Sequence, residues 1–294
     1  MSIRTILTPF SKDSDTPAVR LALAVAKDLQ AHVAGIHAES PEPYVPVPPR
    51  APVMAELGAG SFGMSSLRSE IAAAPHPALA FASRREQDAS TVAAHFEQLC
   101  AELQVPLIAA DAAERFGDHP LPSASYRRES GTLEHVVNQY AHRYDMVVTE
   151  SAAVAKEGKA VRTALETALL RAGRPVMLAP AAPPEHLGTR IMVAWNDSPQ
   201  CWHALSTALP FMARAEQVVL FNAGKGRNER LAGERAAEYL AWHGIQAEVA
   251  QHEPVSSDIA DYLRSQCGER RIGLMVMGAY SHSPWREKLW RYYT

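Results

Sequence analysis

The sequence predicts an α/β protein made of two tandem parallel-sheet sandwiches, the second lacking its last strand. Three observations carry this. Short apolar runs alternate with amphipathic stretches of about 12–16 residues, the pattern of parallel strands joined by crossover helices. The pattern is stated twice. Arg4, Ile6, Leu7, Thr8, Pro9, Phe10 and Ser11 reappear in outline as Arg190, Ile191, Met192, Val193, Ala194, Trp195 and Asn196, and Asp145-Met146-Val147-Val148 is echoed by Gly273-Leu274-Met275-Val276. Finally, runs such as 146–149 are apolar throughout, as in strands covered on both faces.

Taken in order, the first repeat reads as strand 4–8 and helix 15–30, with Ser14 or Asp15 as N-cap and Pro17 in the first turn. Strand 32–37 follows. From 40 to about 77 the pattern dissolves: Pro41, Pro43, Pro46, Pro48, Pro49 and Pro52 exclude a regular helix or central strand. Met54, Leu57, Phe62 and Met64 give this insertion apolar content, so it is expected to be a partly ordered flap rather than a plain linker. Helix 84–103, strand 107–110, helix 131–142, strand 146–149, helix 159–172 and strand 176–179 complete the repeat. The stretch 181–188, with Pro183-Pro184, is the linker, which gives domains 1–180 and 189–294. The second repeat reads as strand 191–195, helix 199–213, strand 217–221, helix 229–242, strand 247–251, helix 256–267 and strand 274–277.

Composition narrows the function. A chain of 294 residues accommodates two cores. A hydrophobic share of 47% and a charged share of 21% are ordinary for a globular protein. The net charge of -3 gives no electrostatic draw toward nucleic acid or an anionic membrane. No apolar run is long enough to span a bilayer, and the N-terminus enters a strand at once, so a cytoplasmic protein is expected. Cys100, Cys201 and Cys267 are odd in number and far apart, which suits reduced, buried thiols.

Residues 272–287, Ile-Gly-Leu-Met-Val-Met-Gly-Ala-Tyr-Ser-His-Ser-Pro-Trp-Arg-Glu, closely resemble the closing segment of the universal stress protein family. The turn Asn196-Asp197-Ser198 resembles the family's first-strand turn, His243-Gly244-Ile245 its approach to the third strand, and Arg174-Pro175-Val176 a common ending of first domains in tandem members. The resemblance implies a sandwich of the adenine-nucleotide hydrolase-like type, a role in stress response, and a possible site for ATP with Mg in the second domain. The family fingerprint is Gly-x2-Gly-x9-Gly-(Ser/Thr), whose small residues admit phosphates to backbone N–H groups. Here Gly278 fills the first place, Ser281 the second, and Arg291 and Tyr292 the last two. On this resemblance the binding residues are Asn196, Ser198, Gly278, Ser281, His282 and Ser283. In the first repeat Thr149-Glu150-Ser151 offers no Gly pair, and Glu150 would repel a phosphate, so no nucleotide is expected there.

After Glu287 the likeness ends. Trp285, Leu289 and Tyr292 or Tyr293 would share one face of a short helix, covering core or anchoring a partner. If fifth strands meet in this protein as they commonly do in the family, strand 176–179 has lost its mate, and its open edge predicts a homodimer. Other chemistry is weaker. Neither a His-Glu-x-x-His pattern nor a zinc-spaced Cys pair occurs among the twelve His and three Cys, so no metal site is expected. Ser281-His282-Ser283 lacks the strand–turn–helix context of a nucleophile. Lys225 and Arg227 sit in a loop without phosphate-loop spacing, though they could serve as charge partners for a ligand. The reading is therefore a stress-type binding or interaction module without robust catalysis. Its alternatives are a nucleotide sensor or slow ATPase in the second domain, and a small-molecule-binding protein with the 40–80 insertion as a flap.

Overall fold

The structure, a computed structural model, describes residues 2–11, 15–39, 77–110, 121–151, 155, 158–182, 187–223, 227–252 and 259–279, without the side chains of 77–85, 223, 227–229, 251–252 and 259–260. The first sheet is built from β1 (Thr5–Phe10), β2 (His32–Glu39), β3 (Ser123–Ser130), β4 (Met146–Glu150) and β5 (Val176–Ala179). The second contains β6 (Arg190–Trp195), β7 (Gln217–Ala223), β8 (Ala247–His252) and β9 (Leu274–Met277). The strand orders are β3-β2-β1-β4-β5 and β8-β7-β6-β9, and every ladder is parallel. The helices are α1 (Pro17–Leu29), α2 (Pro77–Glu102), α3 (Leu133–Tyr140) and α4 (Gly158–Glu166) in the first repeat. Those of the second are α5 (Pro199–Met212), α6 (Arg227–Trp242) and α7 (Ile259–Glu269). Among the described residues the second sheet thus has four strands against five in the first.

The repeat extends to register and caps. Phe10 lies opposite His37 as Trp195 lies opposite Asn222, so a buried aromatic ends each central strand beside a buried polar residue. The helix after each central strand starts alike. Thr16 Oγ1 accepts from Val19 N at 3.3 Å and Ser198 Oγ from Cys201 N at 3.2 Å, each just before a proline. Thr16 is therefore the cap in place of the expected Ser14 or Asp15. Asp15 instead holds Arg20 at 2.6 Å, and this bond keeps its carboxyl below the usual range.

Three expectations need correction. The third strand is Ser123–Ser130, whereas 107–110 contributes only an isolated bridge, Leu107 to Ala124. β3 is an edge strand, and edges tolerate the charges that its sequence Ser-Ala-Ser-Tyr-Arg-Arg-Glu-Ser carries. Leu107 is 41% exposed, so its apolar character marks no core position. The helix expected over 159–172 changes pitch: α4 passes into a π-turn at Thr167–Arg171. Strand β1 also runs through Pro9 to Phe10 rather than stopping at Thr8. The Pro-rich insertion lies outside the described residues.

Alternate residues of β1 serve opposite faces. Ile6 joins a core with Leu23, Val33 and Phe96; Leu7 joins another with Ile36, Val136 and Val147. The first of these continues into the second sheet through Ile191, Trp195, Leu205 and Leu220. Each such side chain, fully buried, contributes roughly 1.5–3 kcal/mol. The Arg214 guanidinium donates to the Asp28 carbonyl, tying the end of α5 to the end of α1. No described helix is long and apolar enough to cross a membrane.

Candidate functional site

In an open parallel sheet, ligands favour the crevice at the C-terminal strand ends where the strand order reverses. For the second sheet that crevice lies between β6 and β9, because the chain leaves β6 toward β7 on one side and returns in β9 on the other. Two of the sequence-predicted residues, Asn196 and Ser198, follow β6 there. Asn196 Oδ1 accepts from Ser198 N at 3.1 Å, closing the turn, and Ser198 Oγ caps α5. Between them Asp197 has φ +59°, the left-handed region that an Asp tolerates better than most residues. Its Oδ1 accepts from Trp202 Nε1 at 3.0 Å and its Oδ2 pairs with Arg235 at 2.6 Å. Trp202 stacks edge-on against the buried Trp195, 4.8 Å between centroids, and against Tyr239 at 5.6 Å. Trp195 Nε1 in turn donates to the Ala232 carbonyl. The turn is thus pinned to α6 by a chain of aromatic and polar contacts.

Gly278 follows β9 and is buried. A Cβ there would stand 2.7 Å from Cys201 N and 2.8 Å from Gln200 C. The structure does bring Gly278 together with the Asn196–Ser198 turn, but the space its missing side chain leaves is filled by the first turn of α5. Pro199 has no N–H and Cys201 N is taken by the cap, so this helix start offers little to a phosphate. Among the described residues no cluster of His, Cys, Asp or Glu suits a metal ion. Ser281, His282 and Ser283 lie outside the described residues, as do Lys225, Arg291, Tyr292 and the side chain of Arg227.

At the matching end of the first sheet, Phe10, His37, Tyr126 and Phe96 form an aromatic cluster, with Phe10 stacked on His37 at 5.8 Å. His37 Nδ1 meets Tyr126 Oη at 3.1 Å and its Nε2 meets the Ser11 carbonyl at 2.5 Å. A carbonyl only accepts, so Nε2 carries the proton and donates to it. Burial pushes the Tyr126 hydroxyl up to about 12, well outside the range of acid–base work at neutral pH. Sequence reasoning missed this cluster because its members come from four separate elements. No signal in the sequence marked it, since the strand that carries Tyr126 was not expected there. Burial raises the Cys100 and Cys267 thiols to about 12 and about 11, consistent with inert thiols.

A separate feature lies between the sheets. The outward edges of β5 and β9 face one apolar groove of about 880 Å³, whose wall includes Leu169, Met177, Phe211, Leu274, Met275 and Arg174. The open edge at Val176–Ala179 was anticipated from sequence; its opposition to β9 was not.

Among solved structures, the chain is similar to a universal stress protein from Archaeoglobus fulgidus DSM 4304, with a TM-score of 0.59 and 12% identity over 98% of this chain and 89% of that one. The chain has the universal stress protein fold. The universal stress protein UspA from Lactobacillus plantarum aligns with 61% of this chain and 99% of its own length, at 14% identity and a TM-score of 0.36 that adds nothing to the argument. No protein-family profile and no curated protein matches the sequence. At the β6–β9 crevice, described polar side chains of the 196–198 turn bond to one another and to neighbouring groups of α5 and α6.

Proposed function

We propose that this chain is a universal stress family member acting as a non-catalytic binding or interaction module in the stress response, with domains 1–180 and 189–294 and a linker at 181–188. The observation that supports it is the self-contained turn after β6. Asn196, Asp197 and Ser198 bond to Ser198 N, Trp202, Arg235 and Cys201 N, so each side chain of the turn already serves the fold. The chain acts in the cytoplasm and assembles as a homodimer through the β5 edge. The competing reading, an adenine-nucleotide sensor or slow ATPase, is favoured by the convergence of Asn196, Ser198 and Gly278 on one crevice.

Native mass spectrometry before and after addition of Mg-ATP separates the two. The module gives a dimer whose mass nucleotide does not change, and a melting temperature that saturating Mg-ATP leaves in place. An adduct of one adenine nucleotide per chain would sink it in favour of the sensor.

A further inference from the structure

The β5 edge that joins two copies in the reading above also forms one side of the groove between the sheets. Among the described residues β5 pairs only with β4 and β9 only with β6, and every residue of β5 and β9 lines the groove. Backbone groups on a strand edge serve one neighbour at a time, so a segment that fills the groove along β5 and a second copy at β5 exclude each other. The internal repeat indicates which segment belongs there. β4 flanks β1 as β9 flanks β6, and the outer edge of β4 is covered by β5, the next strand of the chain. The chain that follows β9 is 280–294, which lies outside the described residues. It sets out from within the groove, since Met277 and Ala279 both line it. It carries Trp285, Leu289, Trp290, Tyr292 and Tyr293. Extended, it would span roughly 50 Å, against roughly 13 Å for a four-residue strand such as β5 or β9. The groove suits such side chains. It holds about 880 Å³, and Arg174 is the one formally charged residue among its described lining residues. Leu170 in its wall is 63% exposed, an apolar surface that a cover would take out of water.

We infer that residues 280–294 fill this groove in the monomer and leave it when a second copy takes the β5 edge, so that this segment sets the strength of the homodimer. This rests on the homodimer of the binding-module reading and gives it its regulation. Cys267 is the native reporter, because it is half-buried and lines the groove. Iodoacetamide labelling of the full chain at mildly alkaline pH, read by peptide mass spectrometry, measures how well Cys267 is covered, and sedimentation velocity measures the dimer. The buried Cys100 and Cys201 stay unlabelled wherever the fold is intact. In protein dilute enough to be monomeric, Leu289→Asp/Trp290→Asp is expected to label at Cys267 at least about tenfold faster than the unaltered chain, and to dimerise about tenfold more tightly. Leu170→Asp, a change at an exposed position of the wall, is expected to speed the labelling as well. Equal labelling of the unaltered chain and the double variant overturns the inference. Protection that rises with protein concentration in both alike overturns it in favour of a second copy alone. Faster labelling with an unchanged dimer overturns it too, since the segment and the second copy would then not contest one edge. Each of these outcomes leaves the homodimer standing, whereas monomers at every concentration in both forms sink the homodimer and the inference together.

Discussion

Gly278 shows how one residue type can carry two meanings. In the sequence it stands where a phosphate-binding glycine would, yet its contacts are with the backbone of Gln200 and Cys201. A methyl group there would meet main-chain atoms that cannot swing away. Gly278→Ala is therefore expected to destabilise the protein by about 1–3 kcal/mol. Gly268, within α7, has ordinary φ and nothing within 4 Å of its would-be Cβ, so Gly268→Ala is expected to stabilise by roughly 0.5–1 kcal/mol. Urea denaturation of the two variants measures both signs, and a neutral Gly278→Ala would mean that the first turn of α5 yields to a methyl group without cost. Asp197 is a parallel case. One partner, Trp202, lies five residues on in the helix that follows, whereas Arg235 comes from α6 and is brought to it only by the fold.

At the scale of elements, the duplicated start of α1 and α5 is a local device. Thr16-Pro17 and Ser198-Pro199 put a side-chain acceptor before a residue that needs no hydrogen bond, so each helix begins without tertiary help. Thr16→Ala and Ser198→Ala are each expected to lower stability by about 0.5–2 kcal/mol, with the two losses adding in the double variant. A Ser198→Ala loss far larger than that of Thr16→Ala would assign Ser198 a role beyond capping. Strand β3 marks the opposite case. Its Arg128 bonds to Glu39 and to Glu86, and the hydroxyl of Tyr140 donates to its Glu129, so its polar side chains are satisfied by neighbours from β2, α2 and α3. Nothing in its own sequence marks it as a strand.

Across the whole molecule, the core that starts at Ile6 and Leu23 continues through Trp195 and Leu205 without a polar break, and Arg214 ties α5 to α1. Two repeats sharing one apolar core cannot expose it one at a time without cost. A single urea transition is expected, with tryptophan fluorescence, which reports on the second sheet through buried Trp195, coinciding with far-ultraviolet circular dichroism. Two resolved transitions would show that the halves fold independently. The groove also belongs to this scale: β5 ends the first sheet and β9 the second, so their edges meet only once both sheets are in place.

The sequence by itself determined the α/β class, the duplication and most element positions, because buried parallel strands are apolar on both faces and helix starts are written in neighbouring residues. Strand β6, helix α5 and strand β9 came out within a residue of their expected limits for that reason. It also pointed to the turn 196–198 and to Gly278 as neighbours, through the resemblance. Tertiary structure decided the rest. It moved the third strand to Ser123–Ser130, since an edge strand is defined by what lies beside it. It set Gly278 against α5 and Arg235 against Asp197, since the distance between residues remote in sequence is fixed by packing and not by spacing along the chain.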